Sequence, residues 1–112
     1  MPTSEAEFTI ELNTTPSQYS LSQNFPNPFN PETKIQFDIP GTRTTKANTR
    51  LAIYNASGQL VRVLVDEMRA PGSYEVQWDG RDNLGQFVAS GIYIYKLISG
   101  DFVSTKKMIL LR

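Results

Sequence analysis

The segment WDGRDNLG (Trp78–Gly85) carries the densest set of ligand-type side chains in the chain: Asp79, Asp82 and Asn83. Three oxygen donors this close suggest a calcium loop. A calcium loop, however, needs acids at alternate positions, a central glycine and a distal glutamate. The spacing here lacks that pattern and instead fits a turn held by side-chain-to-backbone bonds. Asp66 and Glu67 are adjacent at the end of an alternating run. On a strand neighbours face opposite ways, so they cannot share a proton as an acid/base pair. Gly80, Gly85 and Gly91 precede no helix, so they do not form a phosphate-cradling loop. Trp78, Tyr93 and Tyr95 could make a sugar-stacking platform, but they share the phase of the other apolar residues, which places them in a core. Lys106, Lys107 and Arg112 form a basic end too sparse for nucleic acid.

The chain has neither cysteine nor histidine. That removes thiol nucleophiles, disulfides, thiolate and imidazole metal ligands and the commonest general base. No catalytic constellation is left, and neither an enzyme nor a cofactor is expected. Eleven basic residues balance eleven acidic ones, so no electrostatic drive toward nucleic acid or an anionic membrane exists. No run approaches the roughly 18 apolar residues of a membrane helix. The opening MPTSEAEF lacks the basic and apolar regions of a signal peptide and reads as part of a longer protein.

What could position these side chains is a set of strands. Ile35, Phe37 and Ile39 alternate with polar neighbours, as do Leu51 and Ile53, then Val61, Val63 and Val65. Tyr74, Val76 and Trp78 follow, then Tyr93, Tyr95 and Leu97, and finally Phe102, Met108 and Leu110. Period-two alternation marks half-buried strands. NASGQ (55–59), APGS (70–73) and SGD (99–101) separate the runs as turns, the last as a hairpin. With a further strand around Tyr19–Asn24, the pattern predicts an all-β, immunoglobulin-like sandwich of about seven antiparallel strands over 19–112. Residues 1–18 read as a linker from a preceding domain, with a possible short strand at Phe8, Ile10 and Leu12.

The run NFPNPFNP (Asn24–Pro31) interrupts this grammar. Each proline fixes φ and removes a donor, and it pushes its predecessor toward extended backbone. The run is expected to be stiff, and it cannot be a central strand. It is suited to a sandwich edge, with Phe25 and Phe29 as apolar pegs and the asparagines bonding nearby backbone. There it either blocks edge-to-edge pairing or presents a low-entropy ligand.

These residues also carry a family resemblance. LSQNFPNPFNPETKIQFDIP, LAIYNASGQLVRVLVD, PGSYEVQWDGRDNLGQFVASGIYIYKL and STKKMILLR follow in the order seen in the type A C-terminal sorting domains of type IX secretion substrates. The resemblance spans Tyr19–Arg112. It implies a secretion signal behind an N-terminal cargo domain, with periplasmic transit and then the cell surface or medium as its location. Its partners would be the type IX translocon and a surface sortase, with no nucleic acid and no small-molecule substrate. It marks the C-terminal end as the part that is read. The recognition candidates are therefore Asn27, Pro28, Phe29, Asn30 and Pro31 in the proline run, and Lys106, Lys107, Met108, Leu110 and Arg112 in the last strand. The segment WDGRDNLGQFVASGIY also resembles the immunoglobulin-like domain of flagellar hook-capping proteins. A structural or adhesive module, or a carbohydrate-binding appendage, is the alternative.

Overall fold

The computed structural model describes residues 15–42 and 45–112. Most of the expected linker, including Phe8, Ile10 and Leu12, lies outside the described residues. Seven strands form: β1 (Ser20–Leu21), β2 (Thr33–Ile39), β3 (Ala47–Asn55), β4 (Leu60–Arg69), β5 (Gly72–Trp78), β6 (Gly91–Ser99) and β7 (Phe102–Leu110). They build two antiparallel sheets, β1-β2-β5 and β4-β3-β6-β7. This is the expected sandwich.

The core lies between the sheets, where alternation places it. Thr33, Ile35, Phe37, Ile39 and Trp78 of one sheet meet Leu51, Ile53, Tyr93, Tyr95, Leu97, Met108 and Leu110 of the other, all buried. Each fully buried aliphatic or aromatic side chain contributes about 1.5–3 kcal/mol. Trp78 sits at the centre, tilted against Phe29 and edge-on to Tyr93, with ring centroids 5.7 and 5.4 Å away. Its indole N–H donates to the Arg81 carbonyl, so no polar atom is left stranded.

One alternation departs from expectation. Register shifts between Leu51 and Ala52 and between Ile53 and Tyr54 displace β4. Val61 and Val65 stay in the core and Leu64 packs against it, whereas Val63 is left off. A bulge sets two residues opposite one and so reverses the phase beyond it.

The turns are held as their residue types require. Asn55 Oδ1 accepts from the amides of Ser57 and Gln59. Asp82 Oδ1 accepts from those of Leu84 and Gln86, and Asp79 Oδ1 from that of Arg81. WDGRDNLG is thus a turn built on Asx bonds. The entries to β5 and β6 share a pattern, Ala-x-Gly-x-Tyr, at Ala70–Tyr74 and Ala89–Tyr93. In each the tyrosine hydroxyl donates to the alanine carbonyl four residues earlier, at 2.6 and 2.7 Å. Each bond ties a strand to the loop that feeds it.

Candidate interaction surface

The proline run closes the seam between the two sheets. Phe25 extends the β1 edge, exchanging both backbone bonds with Lys34 at 2.9 Å. The chain then bends through Pro26–Pro28, with cis bonds before Pro26, Pro28 and Pro31, and crosses to β7. There the Phe29 N–H donates to the Ile109 carbonyl, and the Leu111 N–H donates to that of Phe29. Asn27 Oδ1 accepts from the Ile109 amide, and Gln23 Nε2 donates to the Lys107 carbonyl. The outer edge of β7 is thereby covered, the protection against edge pairing that the sequence suggests.

The strap is pinned from within. The Tyr95 hydroxyl, wholly buried, accepts from the Asn24 amide at 2.8 Å and donates to the Ser22 carbonyl at 2.7 Å. Burial pushes its pKa up to about 12, with the Asn24 bond pulling the other way. Asn24 Nδ2 donates to Pro26 O and Thr33 Oγ1. Pro31 packs on Gly80, whose φ is +79°; a Cβ there would meet the Pro31 carbonyl at 3.1 Å. The two sequence blocks NPFNP and WDG therefore meet in space.

This geometry corrects several expectations. Phe25 is no peg: its ring is 77% exposed, because the extended backbone that buries Asn24 turns the next side chain outward. The run bends and is not one extended segment. Phe29, Met108 and Leu110 lie in the core, out of a partner's reach in the folded domain. Asn27 is spent on β7. Pro28 and Asn30 are exposed and Pro31 is half-buried.

The basic end is not one patch. Lys106 is half-buried on the inward phase of β7, while Lys107 points outward. The Arg112 guanidinium lies 4.8 Å from the Phe87 ring centroid and donates to the Val88 carbonyl, and the Arg112 amide donates to Ser90 Oγ. Arg81 stacks on the same ring at 4.2 Å. Burial raises the Tyr93 pKa, and the Arg112 charge opposes that rise.

What remains available is the outer face of β6 and β7; alternation in the sequence already sets Ile109 and Leu111 on the outer phase, but sequence reasoning missed their β6 neighbours. Ile92, Ile94 and Ile98 of β6, Val103 and Ile109 of β7, and Leu111 just past β7 all point away from the core. Ile92 faces Ile109 directly across the ladder, and the two are 51% and 39% exposed. Lys107 stands opposite Ile94, and Lys96 opposite Thr105. Among the described residues neither Lys96 nor Lys107 has a carboxylate within ion-pairing distance. The signal was in GIYIYKLIS, which is apolar on both phases. A half-buried antiparallel strand ordinarily has one polar face, and this one has none. Among the described residues no cluster could hold a metal.

Comparison with known proteins bears on the fold. No curated protein matches the chain. PorZ, described as an essential surface component of the type IX secretion system of Porphyromonas gingivalis, contains a similar structure at 20% identity and TM-score 0.53. That likeness covers 92% of this chain and 12% of PorZ. The Pseudomonas fluorescens alkylpurine DNA glycosylase AlkC aligns at 12% identity and TM-score 0.49, over 86% of this chain and 31% of its own. The chain thus spans a minor part of either protein. The FlgD Ig-like domain profile matches residues 23–101, far beyond the segment that suggested it, and takes in the strap, the WDG turn and five of the seven strands, β2 to β6. The chain therefore belongs to the FlgD Ig-like domain family.

Proposed function

We propose that this domain is a C-terminal sorting domain of type IX secretion: a folded, non-enzymatic address, carried behind a cargo domain and read by protein partners. The apolar outer face of β6–β7, with lysines that have no ion-pair partner among the described residues, carries this reading. A terminal sandwich with no partner to meet would keep that face polar. The ordered sequence blocks support the type IX assignment, as does a neighbour in fold that is itself a surface component of that system. The translocon and a surface sortase are the proposed partners, with passage through the periplasm to the cell surface. A structural or adhesive module of a secreted protein is the second reading. Family membership favours it, because that family is defined by an immunoglobulin-like scaffold.

The test fuses the whole chain to an exported reporter in a bacterium with the type IX machinery. Surface delivery is expected for the native chain. It should be lost in Ile92→Thr/Ile109→Thr/Leu111→Ser, a variant that still unfolds cooperatively. Normal delivery of that variant moves recognition off this face. No delivery of the native chain, where an established sorting domain succeeds, leaves the structural module.

A further inference from the structure

We infer that the opposite face of the sandwich, on β1-β2-β5, is a binding site for a neutral glycan, with Phe25 as its stacking platform. The inference is independent of the sorting role and uses none of the residues proposed for it.

Phe25 is the exposed ring on a face otherwise made of amides, acids and one lysine. It stands between two shallow cavities. One, of about 280 Å³, is lined by Pro26, Glu32, Thr33, Lys34 and Gln77. The other, of about 350 Å³, is lined by Gln23, Lys34, Gln36 and Glu75. Each is near the lower end of small-ligand sites, about 300 Å³. The ring is held in place before any ligand arrives. Its backbone is bonded to Lys34 through both N–H and C=O, and Pro26 follows it. Holding an anchor in its bound position lowers the entropy lost on association.

The polar groups around it are also fixed. Gln36 Nε2 donates to Glu75 Oε1, and Gln77 Nε2 donates to Glu32 Oε1, at 2.9 and 2.7 Å. Lys34 Nζ lies 3.7 Å from Glu75 Oε2. Each amide spends its nitrogen on a neighbour and keeps its carbonyl oxygen free, and Glu32 keeps a second carboxylate oxygen. Oriented acceptors beside an apolar ring match a pyranose, which shows hydroxyls at its rim and C–H bonds on its face. Glu32 and Glu75 outweigh Lys34 by one negative charge, so an anionic polymer is disfavoured here. A protein anchor would need a desolvated apolar surround that this face lacks.

The test uses native gels cast with soluble polysaccharides of gluco-, manno- and galacto-configuration, and with a polyuronate as anionic control. At least one neutral polysaccharide should retard the full chain. Phe25→Ala should weaken that binding by about tenfold, while Phe25→Trp retains it. Phe25→Ala should fold normally, since the ring is exposed; its melting temperature checks this. Ile109→Thr, on the other face, should bind like the native chain. Retardation by no neutral polysaccharide, by the polyuronate alone, or equally for native and Phe25→Ala would each overturn the inference.

Discussion

The two outward faces of this sandwich obey opposite rules. On β2 and β5 the outward residues Lys34, Gln36, Asp38, Ser73, Glu75 and Gln77 are all polar. They satisfy one another across the ladder: Lys34 with Glu75, Gln36 with Glu75, Ser20 with Asp38. On β6 and β7 the outward phase is mostly isoleucine, valine and leucine, and its lysines are unpaired among the described residues. Apart from the Phe25 ring, the first face is polar and cross-bonded in water. The second leaves apolar area in water and lysines with no carboxylate among the described residues; the partner proposed for it would relieve both with an apolar, acidic surface.

Both faces rest on one inner layer, so a blow to that layer should affect them equally. Trp78→Ala removes the largest wholly buried side chain and should cost about 3–5 kcal/mol. Urea unfolding measures it. A loss below about 1 kcal/mol would mean that the sheets do not depend on this contact.

Next comes the pin between the faces. Tyr95→Phe keeps the ring but strands the buried Asn24 amide, and should cost about 1–3 kcal/mol. Its pH signature is distinctive. The folded phenol titrates near 12 and an unfolded tyrosine near 10. The stability it contributes is therefore whole below pH 10 and is lost as pH rises through 12, at about 1.4 kcal/mol per pH unit. The native chain should lose stability in that window more steeply than Tyr95→Phe. Equal slopes would show that the hydroxyl is not held as described.

The inner layer was legible in the sequence because alternation is a local signal: Ile35–Ile39, Tyr74–Trp78 and Tyr93–Leu97 all fall where their phase puts them. Val63 was misplaced because a bulge leaves no composition mark in LVRVLVD. Phe25 and Phe29 look alike in the sequence, yet one is exposed and one is core. What separates them is which β-edge each residue's backbone joins, Lys34 for one and Ile109 for the other, and no local pattern encodes that. Arg112 reads in the sequence as part of a basic recognition end, because its partners Phe87, Val88 and Ser90 come from another loop. The outer face of β6 was visible but read on one phase only.

The smallest expected effects divide the faces most cleanly. Glu75→Gln removes the charge opposite Lys34 but keeps an acceptor for Gln36. The pair is about half exposed on both sides, so the loss should be about 0.2–1 kcal/mol and should fade in high salt. Lys107→Ala removes a charge that has no intramolecular partner among the described residues. Its side chain projects from the outer phase, so the isolated chain should lose nothing measurable at any salt concentration. Matched urea titrations at low and high ionic strength compare the two. If Lys107→Ala destabilises the isolated chain as much as Glu75→Gln does, Lys107 already has work inside the fold, and the β6–β7 face is then as self-contained as its counterpart. If Lys107→Ala is silent in unfolding yet impairs delivery of a fused reporter, the charge serves recognition alone. That outcome would place the asymmetry between the faces in what each meets outside the molecule.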